Sequence, residues 1–154
     1  MAKLLPNKKT WVGFKTTIAN GATTMVVTSA DVSGATDLTP YLISINAGAS
    51  GNTIPTPTLD TLFESSVSGT VTASFTMDLY MDDTTPTVWN ALARGNPGWV
   101  MISRNDPAPS TPDIVEAWPV SITARTPNAL TSNTAQTYTV TCAVTKAPNE
   151  GTAM

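Results

Sequence analysis

Residues 70–81 alternate without interruption. Val71, Ala73, Phe75, Met77, Leu79 and Met81 fall on one side, and Thr70, Thr72, Ser74, Thr76, Asp78 and Tyr80 on the other. A strand points successive side chains to opposite faces, whereas a helix would scatter this pattern around its circumference. The segment is therefore read as a long strand with one apolar and one hydroxyl-bearing face. Such a strand cannot stand alone, because its backbone needs neighbours in a sheet and its apolar face needs a second layer.

The remaining patterns agree. Tyr138, Val140, Cys142 and Val144 alternate with Thr137, Thr139, Thr141 and Thr145, and Ile114, Trp118, Val120, Ile122 and Ala124 mark a third strand whose inner face is interrupted by Glu116. Residues 12–18, 24–28, 41–45 and 99–103 are shorter strand candidates bounded by Gly, Pro, Asn or Asp. One helix is expected at about residues 86–94. Asp82, Asp83, Thr84 and Thr85 offer acids and a hydroxyl cap before Pro86; Val88, Trp89 and Leu92 form one stripe; Gly95 and Asn96-Pro97 end it. The fold class is thus mainly β, a sandwich or barrel with one short helix.

Two stretches fall outside this frame. Residues 47–57, AGASGNTIPTP, read as a long loop of small residues and prolines that cannot bury itself, the kind of segment that carries function. Residues 1–15 read as a basic arm in which Trp11 and Phe14 offer large apolar groups to a neighbour. The expected division is an arm over 1–15, a single β domain over 16–148 and a short tail over 149–154.

Charge narrows the function classes. Only 12% of residues are charged; Lys3, Lys8, Lys9 and Lys15 precede every acid, so the first 15 residues carry +4 and the remainder, with four bases against eleven acids, carries −7. An acidic body repels phosphates over a Debye length of about 8 to 10 Å, which argues against gripping nucleic acid. The single cysteine excludes an internal disulfide, and no apolar stretch has the length of a signal segment or membrane span.

The chain has no histidine, which removes the Ser-His-Asp and Cys-His arrangements and the commonest metal ligand together. No catalytic, cofactor-binding or metal site is expected. Cys142 lies on the apolar side of its strand and reads as a core residue. Asp78 with Asp113 or Glu116 is the one carboxylate pairing open to a hydrolase, but Asp82 and Asp83 suit the start of the helix and Asp78 a polar strand face. Trp11, Trp89, Trp99 and Trp118 are either core residues or the platform of a monomeric module that binds carbohydrate or a host surface. Long hydroxyl-faced strands with open edges favour self-assembly, since pairing edge to edge around a ring leaves no edge bare.

Asp37-Leu38-Thr39-Pro40-Tyr41, followed by Ile43 and Ile45, resembles the opening of the tail tube subunits of long-tailed, siphovirus-type bacteriophages. Later features keep that family's order: Thr61-Leu62-Phe63 before the long strand, Trp89-Asn90-Ala91-Leu92 in the helix, then strands at residues 99–104, 116–127 and 135–147. The likeness covers residues 31–148. Glu64 stands where the family has a glycine, and residues 65–69 replace its Pro-Gly turn.

The resemblance implies a β-sandwich with a flanking helix, assembled into hexameric rings that stack into a hollow tube around a tape measure protein, with tail terminator and tail tip proteins as further partners. DNA later passes through without specific binding. The expected place is the phage virion, assembled in the host cytoplasm. Expected contacts between subunits are Lys3, Lys8, Lys9, Trp11 and Phe14 of the arm and Ala47, Gly48, Gly51, Asn52, Ile54, Pro55 and Pro57 of the loop. Asp78, Asp82 and Asp83 are the expected lumen-facing residues.

Overall fold

The computed structural model describes residues 9–56, 65–81 and 86–154. They form β1 (Trp11–Lys15), α1 (Ser29–Ser33), β2 (Thr36–Asp37), β3 (Leu42–Thr56), β4 (Ser65–Tyr80), α2 (Thr87–Ala91), β5 (Pro97–Ser103), β6 (Ile114–Pro127), β7 (Thr137–Val144) and β8 (Asn149–Ala153). All eight strands belong to one antiparallel sheet of order β2-β1-β5-β6-β7-β4-β3, with β8 added beside β6.

The sheet turns over on β6. The first half of β6 pairs with β5, Glu116 opposite Ile102 and Ser121 opposite Pro97, and its second half pairs with β7 up to Pro127 opposite Tyr138. A register shift between Ile122 and Ala124 marks the bend, as an extra residue on one strand locally increases twist. The consequence is visible in the core. Val12 and Phe14 of β1, Val100 and Ile102 of β5, Trp118, Val120 and Ile122 of β6, Tyr138 and Val140 of β7, and Phe75, Met77 and Leu79 of β4 belong to one buried cluster. In a flat sheet β1 and β4 would lie about 19 Å apart, so their common cluster requires the sheet to close upon itself in sandwich fashion. Phe75 and Trp118 mark the centre, with ring centroids 5.6 Å apart.

The opposite face of β1, β5 and β6 is covered too. Trp11, Trp99, Met101, Val115 and Ala117 form a second cluster with Ile18 and Val27 from the segment leading to α1. Trp11 and Phe14 are thus interior residues of this chain, 6% and 3% exposed, and not surface groups held out to a neighbour. The arm stops short of residue 11 because β1 finds a full five-residue partner in β5, a pairing far away in sequence. Lys15 likewise spends its charge internally, on Asp31 at 2.9 Å.

Asp31 organises that covering segment. Its carboxylate accepts hydrogen bonds from Lys15 Nζ, from the backbone N–H groups of Ala19 and Thr28 and from Thr28 Oγ1, while Thr28 Oγ1 in turn accepts from Asp31 N. This reciprocal cap starts α1 where a strand over residues 24–28 was expected. Burial by itself would raise the Asp31 pKa, but the hydrogen bonds from Lys15, from the Thr28 hydroxyl and from the two backbone N–H groups outweigh it and hold the carboxyl below its ordinary value.

The second helix is shorter than the sequence suggested. α2 ends at Ala91, with Pro86 at its N-cap and no side-chain cap, and Val88 and Leu92 reach the first core cluster. Gly95, at φ +90, turns the chain into β5 and donates its N–H to Ile122 O. Asp82 and Asp83 lie outside the described residues. At the other terminus residues 149–153 are not a loose tail but strand β8, paired with β6 from Ile114 to Ala117.

Candidate functional site

The segment expected as a loop is strand. Residues 47–56 continue β3, paired with β4 from Leu42 opposite Leu79 out to Thr56 opposite Ser65. Gly, Ala, Ser and Pro are poor strand formers, but β4 supplies a ready ladder and small residues add no steric conflict to it. Near the outer end the register slips between Gly51 and Thr53, and Gly69 sits opposite the irregularity: a Cβ there would come 3.0 Å from Asn52 O.

The hairpin reaches beyond the sheet that supports it. β7 pairs with β4 only from Ser74 to Tyr80. Residues 65–73 of β4 therefore have β3 on one side and, among the described residues, no strand on the other. β3 ends the sheet order, and among the described residues no strand pairs with its outer edge. The outer half of the hairpin is a two-stranded ribbon with two open edges, solvent on both faces, and exposed Ile54, Val67 and Val71. Residues 42–56 and 65–77 contain no charged side chain. Isolated proteins ordinarily protect a bare edge with lysine, an inward charge, a short strand, a proline or a bulge; this ribbon has no charge and long strands, and carries Pro55 and the shift at Gly51/Thr53.

Of the sequence-stated contact residues, Gly48, Gly51, Asn52, Ile54 and Pro55 lie exposed on this ribbon, and Ala47, at its base, packs on the first core cluster. Lys9 is exposed where the described chain begins. Lys3, Lys8 and Pro57 lie outside the described residues. Val67, not singled out from the sequence, is also exposed on the ribbon, and in sequence the alternation of Ser66, Ser68 and Thr70 with Val67 and Gly69 prolongs the pattern of residues 70–81.

The candidate carboxylates are separate and engaged. Asp78 accepts from Ser44 Oγ at 2.9 Å and Thr139 Oγ1 at 2.7 Å on the hydroxyl face. Glu116 is held by Arg104 and by Trp118 Nε1 at 3.0 Å, and Asp113 Oδ2 accepts from Ser110 N at 2.8 Å. Among the described residues no two of these three carboxylates share a hydrogen-bond partner, and none of their contacts joins one to another. Cys142 is buried, and burial pushes its thiol up to about 12, far from a nucleophile. Trp11, Trp99 and Trp118 are buried, and Arg125 stacks 3.6 Å over the Trp89 ring, so no indole is presented as an open platform. Among the described residues no group of His, Cys, Asp and Glu is placed to hold a metal, and no helix is long and apolar enough to cross a membrane.

An uncharged ribbon with two bare edges suits a subunit completed by others. The family described as phage tail tube protein matches residues 1–154. The chain belongs to that family. Its fold is also that of a chain in the virion of a native gene transfer agent particle, at TM-score 0.59 and 11% identity over 97% of this chain and 98% of that one. A chain of the anti-feeding prophage baseplate is similar at TM-score 0.57 and 11% identity, over 96% and 95%. A search of curated sequences finds no match. As a tail tube protein the chain is a structural component of a phage tail.

Proposed function

We propose that copies of this chain close into hexameric rings and that the rings stack into a hollow tail tube, with the β3–β4 ribbon making contacts between copies. The observation that carries this reading is the ribbon itself, two strands paired to each other, with no further strand on either edge among the described residues and no charge over residues 42–56 and 65–77. Backbone N–H and C=O groups along such edges are satisfied as well by another strand as by water, and the exposed apolar side chains tip the balance toward a strand. The chain works without catalysis. Tape measure, tail terminator and tail tip proteins are its partners in the virion, and assembly takes place in the host cytoplasm.

Electrostatics suits a conduit. In this reading Asp78, Asp82 and Asp83 are the lumen-facing acids, and a wall of hydroxyls and carboxylates gives DNA no lysine or arginine to bind. Lys3, Lys8 and Lys9 meet the acidic surface of a neighbouring copy, which makes assembly sensitive to salt.

The test is to shorten the ribbon. Replacing residues 49–73 by Asn-Gly joins Gly48 to Ser74, an opposed pair that a two-residue turn can close. The variant keeps the sheet from β7 to β1 and is expected to fold, with a cooperative thermal melt, but to form neither rings nor tubes in negative-stain micrographs under conditions where the unaltered chain forms both. Normal tubes from the shortened chain would remove the ribbon from the assembly.

A further inference from the structure

The large apolar side chains that the single chain leaves exposed are not scattered. Apart from Ile114, which lies beside Gly151 of β8, all those among the described residues fall at the two ends of the β3–β4 hairpin. At the outer end they are Ile54, Val67 and Val71. Between Gly51 opposite Val71 and Thr53 opposite Ser68, β3 advances two residues and β4 three, so β4 exchanges its faces there. Ile54 and Val67, opposite each other beyond the shift, therefore form a pair on the face that Val71 does not share. A free two-stranded ribbon twists more than a sheet and a bulge adds to the twist, so this pair is also turned away from the direction of the face it continues.

At the inner end are Ile43, Tyr80 and Leu130. Tyr80 N donates to Tyr41 O, Leu79 stands opposite Leu42, and Ile43 follows at a second register shift. Leu130, the most exposed at 77%, belongs to the connection from β6 to β7, which closes beside Tyr80: Thr137 is opposite Tyr80, Met81 N donates to Gln136 O, and Asn128 N donates to Thr137 O. Between the two ends, the face of the hairpin away from the core carries Asn46, Ser50, Thr72, Ser74 and Thr76. Two residues before Tyr80 it carries Asp78, which Ser44 and Thr139 hold.

We propose that Ile54 and Val67, at the outer end of the hairpin, dock on the inner end of a second copy of this chain in the next ring, where Ile43, Tyr80 and Leu130 receive them. This rests on the tube reading and adds to it the receiving surface. The placement of the two patches chooses the occupant. They lie at opposite ends of one hairpin, so a copy that uses its outer end still offers its inner end to another, and a head-to-tail contact of this kind repeats along an axis. A tip-to-tip contact would stop at two copies and leave every inner end in water. The ribbon projects past the end of β7 and carries no charge over residues 42–56 and 65–77, so it enters a neighbour's surface without desolvating an ion of its own. Removing apolar side chains from water at both ends drives the contact, whereas the hydroxyls between the ends already have water as a partner and gain little from being covered.

Cysteines at the two ends test this, since the native Cys142 is buried and does not compete for a maleimide. In tubes treated with a short bismaleimide, the double variant Val67→Cys/Tyr80→Cys is expected to give a ladder of linked chains on a denaturing gel. The ladder should run past the number of copies in one ring, while each single variant stays monomeric. Dimers from Val67→Cys alone would mean that tips meet tips, and a ladder ending at one ring would mean that the contact lies within rings; either overturns the proposal. So would tubes that yield no ladder from this pair or from Ile54→Cys/Leu130→Cys, because the ends are then free for a different protein.

Charge gives a second readout. Val67→Lys and Tyr80→Lys, both at exposed positions, are expected to keep the circular dichroism and melting of the unassembled chain and to form rings. They should lower the yield of sedimenting tubes at least about tenfold, because stacking would bury an unpaired ammonium. Thr141→Lys, exposed midway along β7 and opposite Thr76, is expected to leave tubes unchanged. Equal loss of tubes from Thr141→Lys would show that the ends are not special, and loss of rings from the two end variants would place the contact inside the ring; both count against the proposal. An unaltered chain that forms no tube at all would sink the tube reading and this inference with it, whereas tubes without the cross-links sink this inference alone.

Discussion

Asp31→Ala is expected to destabilise the single chain by roughly 2–4 kcal/mol, the combined cost of a lost helix cap and of buried donors left without an acceptor. Asp31 is 2% exposed and collects hydrogen bonds from four donors in three different places: Lys15 on β1, Ala19 in the following turn, and the backbone and hydroxyl of Thr28. Removing it unties the segment that covers the second core cluster. Lys15 is 27% exposed and can turn its ammonium to water, which keeps the cost below that of a fully buried pair.

The effect carries a pH signature. The folded Asp31 carboxyl titrates below its ordinary value of 3.8. A group with a lowered folded pKa contributes stability above its unfolded pKa and loses it as the pH falls through the folded one. The gap between the unaltered chain and Asp31→Ala should therefore be widest at neutral pH and narrow below about pH 4. Urea unfolding of both proteins at pH 7 and pH 3 checks this; a gap that stayed the same at both pH values would show that the carboxylate charge contributes nothing.

The other large effect is at the centre of the closed sheet. Trp118→Ala is expected to cost about 3–5 kcal/mol, which for a chain of this length lowers the melting temperature by on the order of 10 °C. Trp118 is 2% exposed, lies against Phe75, and donates its indole N–H to Glu116 at 3.0 Å. It sits on the half of β6 that pairs with β5, while Phe75 sits on β4, two strands away through β7. The ring contact thus ties together the two parts of the sheet on either side of the bend, and alanine leaves a cavity between them. Thermal melts at concentrations where the chain is unassembled measure the effect, since assembly would mask part of it. A melt unchanged from the unaltered chain would mean that the two parts of the sheet are held together elsewhere.

What could be read in the residues was what local pattern encodes. The alternation of residues 70–81, 137–145 and 114–124 identified β4, β7 and β6, because one residue in two facing a core is a property of the strand itself. The mainly β class and the burial of Cys142 came from the same pattern, and the absence of histidine spoke against most catalytic arrangements without any structure. Thr28-Ser29-Ala30-Asp31 holds the signal of a capped helix, which the reading of residues 24–28 as strand passed over.

Tertiary structure decided everything that depended on distant partners. Residues 47–56 carry no strand signal of their own and became strand because β4 offered them an edge. Trp11 and Phe14 went inside because β5, more than eighty residues later, accepted β1. Residues 149–153 joined the sheet because the start of β6 had a free side. In each case the backbone hydrogen bonds come from an element whose position no nearby residue specifies, so propensity is overruled by pairing. The sequence alone determined that there would be strands with one greasy and one hydroxyl face; only the folded chain determined where the core stops, and so which greasy residues stay exposed on the ribbon.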